Sequence, residues 1–420
     1  ISSVIHSIAI QPNNKIIAVG CSESNQNDGF LLVRYNCDGS LDSSFGINGI
    51  VRTQISGVEE GARTAKIQGD GKIIVGGYSG SNESQNFALA RYESNGMIDT
   101  TFGENGIQIT KFNDEPDGIT SIALQSDGKI VAGGYSYLEG ISNFALARYN
   151  SDGSLDNTFG SEGKIISLFN NQGSSASSIA IQKTGKIVLG GSCGEHMNSN
   201  FILARYNSDG SIDNSFNNIG YTITDIDSSD HLYAIALWSD DRIIVAGKSY
   251  DITNNNFVLA QFDSDGTIDS SFANYGIKTT PIPSGLSTRG GICLQNDGKI
   301  ITACSEFVDS LSNWDFVIAR FLTNLNLGVK DFILENCDPL IYPNPVTSEF
   351  QFSYFLTKKA WLSLRLFDMQ GNLCQTFYLN QFQEAGQHMD KLYLNSCLPR
   401  ATYLLELKNV KDKVGLRIIK

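Results

Sequence analysis

One pattern constrains this chain more than any other: a unit of 57 residues is written six times in succession, with a single interval of 56. The first mark of the unit reads Gln11-Pro-Asn-Asn-Lys15, Gln68-Gly-Asp-Gly-Lys72, Gln125-Ser-Asp-Gly-Lys129 and Gln182-Lys-Thr-Gly-Lys186. It continues as Trp238-Ser-Asp-Asp-Arg242 and Gln295-Asn-Asp-Gly-Lys299. A second mark, "FLLVRYN" in its first copy, starts at 30, 87, 144, 201, 257 and 316. A repeat of this size is one supersecondary unit that cannot cover its own apolar faces. It must stack on copies of itself.

Each unit predicts four short strands. In the third copy they fall at Ser121–Gln125, Lys129–Tyr135, Phe144–Asn150 and Lys164–Phe169, runs rich in β-branched and aromatic residues between Gly, Asn, Asp and Ser clusters. The first two strands are joined by a three-residue turn ending in Gly71, Gly128, Gly185 or Gly298, with Asn14 and Asp241 at the same place. These are the residue types that tolerate φ > 0, as a hairpin with a glycine bulge requires. The strands "KIIVGG" and "FALAR" scarcely alternate, so both faces of each sheet are to be buried. Small residues such as Gly76 and Gly77 would let neighbouring sheets approach closely. Four-stranded units packed around an axis make a β-propeller. The expected fold is all-β: a six-bladed propeller over residues 1–323, with a seven-bladed ring as the alternative if a copy precedes Ile1. The sixth copy lacks its own fourth strand, which Val329–Leu334 or residues upstream of Ile1 would have to supply.

With "SDGKIVAGGYS" followed by "LARYNSDGSLDNTFG", the array resembles the delta-60 family of bacterial propeller repeats, over about three quarters of the chain. That resemblance implies a propeller within a secreted or surface protein. It implies no catalytic activity and no cofactor.

The loop "NSDGSLDNTFG" also invites a metal reading. Asn150, Asp152 and Asp156 offer three oxygens at spacings similar to an EF-hand, and four other copies offer comparable sets. Calcium wants six to eight oxygens and, in an EF-hand, a bidentate Glu at loop position twelve. That position holds Asn48, Asn105, Glu162, Ile219 and Tyr275, so one copy qualifies. A structural joint accounts for more. Asp152-Gly153 is a turn dipeptide, Asp156 can cap the next turn, and Phe159 is an apolar plug repeated as Phe45, Phe102, Phe216 and Phe272. Arg34, Arg91, Arg148, Arg205 and Arg320 recur on the third strand, and Asp42, Asp99, Asp156, Asp213 and Asp269 recur in the loop. Copy five has Gln261 in place of the Arg, and copy six lacks the Asp. Pairing each Asp with the Arg of the preceding copy, Asp99 with Arg34 and so on, with Asp42 meeting Arg320, makes these two defects coincide.

After Phe321 the beat stops. Residues 324–338 read as a linker, and 339–420 predict six or seven short strands, a small β-sandwich. Tyr342-Pro343-Asn344-Pro345-Val346, the turn Asp368-Met-Gln-Gly371, Leu398-Pro399 with Tyr403, and the closing Arg417–Lys420 resemble the type A C-terminal sorting domain of the Bacteroidetes type IX secretion system. The resemblance implies that Tyr342, Pro343, Asn344, Pro345, Asp368, Gly371 and Lys420 serve sorting. It implies that the type IX machinery is a partner, and that the chain crosses the periplasm to the outer-membrane surface or the medium. The family usually has glycine where this chain has Ala401, which would strain a position at φ > 0.

A net charge of −13 argues against nucleic acid and against an anionic membrane surface. No apolar run of about 18 residues is present to form a transmembrane helix. The eight cysteines form no CxxC pair, which argues against zinc; Cys374 with Cys397 is the one disulfide pairing to test. Three functions remain open: a binding module for a glycan or protein ligand, a secreted hydrolase or lyase acting at the channel mouth, and a structural adhesin. Only Glu195 with His196, and Asp230 with His231, break the repeat as polar pairs, and both are expected on solvated loops. No residue is assigned as catalytic.

Overall fold

A computed structural model describes the chain except for residues 1, 24–28, 57–58, 82, 171, 196–197, 251–254, 283–284, 296, 308–313, 322–339, 343, 345, 347, 357–358, 369–371 and 409–412. Every regular element among the described residues is a strand. Contacts divide the chain into two units, Ile1–Leu322 and Thr323–Lys420.

In the first unit each copy folds into one antiparallel sheet whose strands lie side by side in sequence order. The third copy pairs Asp117–Leu124, Ile130–Leu138, Ile141–Tyr149 and Lys164–Ser167. The middle hairpin is longer than the sequence predicts. Glu139 and Gly140, at φ 53° and 74°, make a two-residue turn that carries the ladder out to Leu138 and Ile141. Copies one to five have four strands. The described residues of copy six give three: Gly285–Leu294, Ile300–Phe307 and Trp314–Phe321. The segment 329–334, expected to complete it, lies outside the described residues. The turn positions adopt the left-handed conformation that their residue types suit, from Asn14 at φ 63° to Gly71 at 87°.

The core lies between successive sheets. One cluster joins Ile17, Phe30 and Phe45 of the first copy to Ile73, Val75 and Tyr92 of the second, and further clusters join each later pair. Burial on both faces explains why the strands do not alternate. It also explains Gly76: a Cβ there would stand 3.1 Å from methyls of Ile119 and Ile122 on the next sheet. The first strands of consecutive copies are neighbours, so the sheets turn about a common centre as β-propeller blades.

Adjacent blades are also tied at the start of the first strand. Asp117 is fully buried, and its two oxygens accept Phe87 N of the preceding blade at 2.5 Å and Phe112 N at 3.1 Å. The equivalent Ser174 makes the same tie to Phe144 N with a neutral hydroxyl. Burial outweighs the two amide bonds and pushes the Asp117 carboxyl up to about 7. The folded state then holds a proton that the unfolded chain releases above about pH 4, so this group's stability contribution is full below pH 4 and lost as pH rises towards 7. Urea denaturation across that range is expected to show a fall of up to about 4 kcal/mol from this group. The variant Asp117→Asn should remove that slope. An unchanged slope in the variant would exclude Asp117 as its source.

The second unit is a β-sandwich. One sheet orders Leu340–Tyr342, Glu349–Leu356 and Gly386–Tyr393; the other orders Leu373–Gln383, Ala360–Asp368, Thr402–Lys408 and Lys413–Ile419. Phe350, Phe352 and Leu356 from the first sheet and Leu362, Leu364, Leu405 and Leu407 from the second share one core. Two expectations are corrected here. Cys374 and Cys397 are both free thiols, the former donating to Asn372 O at 3.5 Å within its own hairpin. Ala401 does not occupy the left-handed region, so the turn accepts it without the strain its side chain would cause there.

Candidate functional site

In copies one to four the long loop is a joint built on one arginine. Arg34, Arg91, Arg148 and Arg205 reach Asp42, Asp99, Asp156 and Asp213 of their own copy at 2.7, 2.6, 2.7 and 2.6 Å. Lys15, Lys72, Lys129 and Lys186 from the hairpin turn reach the same carboxylates. The pairing across copies that the two defects suggested is therefore corrected. The loop folds back so that Asp42 N bonds Arg34 O and Asp156 N bonds Arg148 O, both at 2.9 Å, which sets each Asp over its own strand. Arg320 is exposed, and Asp42 is held by Arg34 and Lys15 of its own copy.

What crosses between copies is the other side of the same guanidinium. Arg34, Arg91, Arg148 and Arg205 donate to the carbonyls of Ser94, Ser151, Ser208 and Ser264 in the next loop. Each stacks on the plug of its own copy, 4.5–4.8 Å above Phe45, Phe102, Phe159 or Phe216. The next Asp-Gly turn closes over that ring: a Cβ on Gly153, itself at φ 92°, would stand 3.0 Å from Phe102 and 2.8 Å from Gly103 N. Copy five replaces three members together, Arg242 standing for the hairpin Lys and reaching Asp269 at 3.4 Å. Gln261 donates to Asp269 at 2.6 Å, and Trp238 Nε1 donates to Gln261 Oε1 at 3.0 Å. In copies one and four the direction is reversed, Arg donating to Gln11 or Gln182 at 3.3 Å.

The three candidate calcium ligands are all engaged in this joint. Asp156 Oδ2 accepts Arg148 and Lys129, and Oδ1 accepts Thr158 N and Oγ1. Asp152 Oδ1 accepts Ser154 N and Oγ, while Asn150 Oδ1 accepts Lys129 at 3.3 Å. Burial acts to raise the Asp156 carboxyl, but Lys129, Thr158 and Arg148 together hold it well below the usual range. A loop carrying two cations on its central carboxylate is a poor place for a third.

A different position gathers unlike chemistry. His6, Arg63, Thr120, Ser177, Tyr233 and Gly290 follow one another at the repeat interval, and all six line a single central cavity of about 260 Å3. In the first five copies the strand register skips that residue, a β-bulge that turns its side chain inward. Ile119, and Tyr78 and Tyr135 from the second strands, complete the described wall. Arg63 Nη1 lies 2.8 Å from His6 Nε2; a guanidinium only donates, so the imidazole nitrogen accepts. Arg63 also lies 5.1 Å from the centre of the Tyr78 ring. Burial raises the Tyr78 phenol, partly offset by Arg63, and pushes Tyr135 up to about 12. A second cavity of about 330 Å3 adjoins, shares Ser177 and Tyr233, and is lined largely by serines with His231. His231 and Asp230 thus lie on the strand Ser229–Leu237 and not on a solvated loop, with Asp230 fully buried and accepting Ile226 N at 2.7 Å. The side chains of Glu195 and His196 lie outside the described residues. The repeat marks do not point to this cavity. Its signal was a beat position within the first strand that differs in every copy.

The profile described as "Domain of unknown function (DUF5122) beta-propeller" matches residues 11–45, 68–102, 125–159, 182–216 and 239–272, each match running from the hairpin mark to the phenylalanine plug or its end. That of the secretion system C-terminal sorting domain matches 340–420. The chain carries DUF5122 propeller repeats followed by a sorting domain. Among curated proteins no sequence matches it. Solved structures with partial likeness to this chain include the polysaccharide lyase Uly1, at 11% identity over 75% of this chain and 77% of that one, TM-score 0.40. A Trypanosoma rangeli sialidase mutant displaying trans-sialidase activity gives 8% identity over 100% and 85%, TM-score 0.41. The exo-beta-1,3-galactanase of Phanerochaete chrysosporium gives 9% over 99% and 94%, TM-score 0.34. Scores at this level carry no argument about activity.

The sorting domain implies export to the cell surface or the extracellular space, and no helix among the described residues is long and apolar enough to cross a membrane. Within it, Lys420 is fixed rather than trailing. Its Nζ donates to the carbonyls of Asn395, Ser396 and Leu398 at 3.0, 3.2 and 2.6 Å, and its N to Ala401 O at 2.9 Å. Tyr403 donates to Pro399 O at 2.8 Å, so the Leu398-Pro399 stretch is held from both sides. Asp368 closes its turn on Asn372 with backbone and side chain. Asn344 is exposed. Pro343, Pro345, Gly371 and the Tyr342 side chain lie outside what is described.

Proposed function

We propose that this chain is an extracellular binding module: a six-bladed propeller over 1–323, joined through 324–338 to a sorting domain of 339–420 that is read by the type IX machinery, with the ligand seated in the central cavity. One observation carries this reading. The copies are nearly uniform at their joints yet present six different residues at the bulge position, all six of which line the cavity. A purely structural adhesin has no use for that contrast. Glycoside hydrolysis generally uses a pair of carboxylates, and the described lining holds none.

The test is a plug. Ser177→Trp places an indole in the cavity without touching the joints. Binding to a glycan or surface-protein panel is expected to disappear in this variant while the melting temperature holds. Binding that survives the plug would move the site elsewhere. Release of cleaved product from a polysaccharide would favour the hydrolase or lyase reading.

A further inference from the structure

We propose that the central cavity receives an anionic sugar ring, a uronate or a sulfated saccharide unit, with Arg63 as the anion contact and the tyrosines as ring contacts. This rests on the cavity being the ligand site and narrows it to a ligand class. The chain has a net charge of −13, and where its joints bury a guanidinium they supply a carboxylate: Arg34, Arg91, Arg148 and Arg205 each meet an Asp. Arg63 is the departure. It stands on the bulge of the second blade, lines the cavity, and contacts His6 Nε2 at 2.8 Å, the Tyr78 hydroxyl at 3.5 Å and the Tyr78 ring. Among the described residues no carboxylate lies within ion-pair distance of it. A guanidinium keeps its charge whatever surrounds it, and its planar fork matches a carboxylate or a sulfate with two parallel hydrogen bonds. Held by neutral partners inside an acidic protein, it is a counter-charge awaiting an anion.

The rest of the wall selects the body of the ligand. Tyr78, Tyr135 and Tyr233 line the same space. A phenol offers an apolar face for the C–H side of a sugar ring and a hydroxyl for its edge. At about 260 Å3 the cavity lies just under the ~300–1,000 Å3 typical of drug-sized ligand sites, which suits one ring with a charged substituent. The adjoining serine-lined cavity shares Ser177 and Tyr233 and gives a hydroxyl-rich path for a neighbouring sugar unit.

Titration calorimetry on the full chain tests this with glucuronic acid, galacturonic acid, glucose 6-sulfate, glucose and galactose. At least one acidic sugar is expected to bind about tenfold or more tightly than its neutral parent. Arg63→Gln should erase that difference with the melting temperature retained, and Arg63→Lys should keep part of it. The carboxylate and sulfate arms show which anion is preferred. Neutral and acidic sugars binding equally, or Arg63→Gln changing nothing, would overturn the anion assignment while leaving the cavity as the site. No acidic sugar binding up to about 10 mM overturns it as well. A plugged Ser177→Trp variant that still binds every ligand of the unmodified protein would instead overturn the site itself.

Discussion

Replacing Arg148 with glutamine should lower the stability of the propeller by roughly 3 kcal/mol, the lower end of the range for breaking a buried ion pair. Its guanidinium is half of a pair with Asp156 at 2.7 Å, the two side chains being 7% and 5% exposed. It also donates to Ser208 O of the next blade and covers the Phe159 ring at 4.5 Å. Lys129 remains on Asp156 in the variant, which keeps the loss from the upper end. Copy five shows how the chain tolerates glutamine at this position: Trp238 replaces the hairpin Gln and donates to Gln261. In copy three Gln125 Oε1 is buried without a partner, so the site is ready for the exchange. The double variant Arg148→Gln, Gln125→Trp should therefore recover about 1 kcal/mol relative to the single one, the net worth of one hydrogen bond. Urea denaturation of both proteins measures this. A neutral single substitution would mean that the arginine is not what joins the blades.

Deleting residues 340–420 should abolish export and leave folded propeller in the periplasm. The matched sorting domain spans those residues and buries a core of its own, from Phe350 and Phe352 to Leu405 and Leu407. A unit with its own core can be removed without opening another, so the propeller should melt within about 2 °C of the full chain. Cell fractionation in a host with the type IX system decides the first claim, and thermal denaturation of the recovered protein the second. Truncated protein in the medium would contradict the role of the domain; a collapsed melting temperature would show that the propeller depends on it.

Much of this molecule was legible before any coordinates. The period gave the blade, and the three-residue turn read correctly because φ > 0 restricts the residue types at one place, with Asn14 and Asp241 obeying the same demand as Gly71. The Asp-Gly stretch was read as a joint, with Phe159 as its plug, and it closes between blades in that way. The end of the middle hairpin was missed, since Glu139-Gly140 is peculiar to that copy and the repeat cannot announce it. The candidate cavity was missed for the converse reason. His6, Arg63 and Tyr233 share no residue type, and a search for what recurs passes over what differs.

The amino-acid sequence by itself determined the strands, the turns and the existence of an interblade joint, because each depends on local periodicity or on the conformation of single residues. The tertiary structure alone decided which aspartate each arginine meets and which six residues face one another. Arg34 could have met Asp42 or Asp99 on spacing alone; the backbone bond from Asp42 N to Arg34 O settles it by folding the loop onto its own strand. His6 and Arg63 stand 57 residues apart yet 2.8 Å from atom to atom, because bulges on successive sheets turn one residue of each blade towards a shared centre. That convergence is a property of how sheets pack around a point, which no stretch of one copy contains.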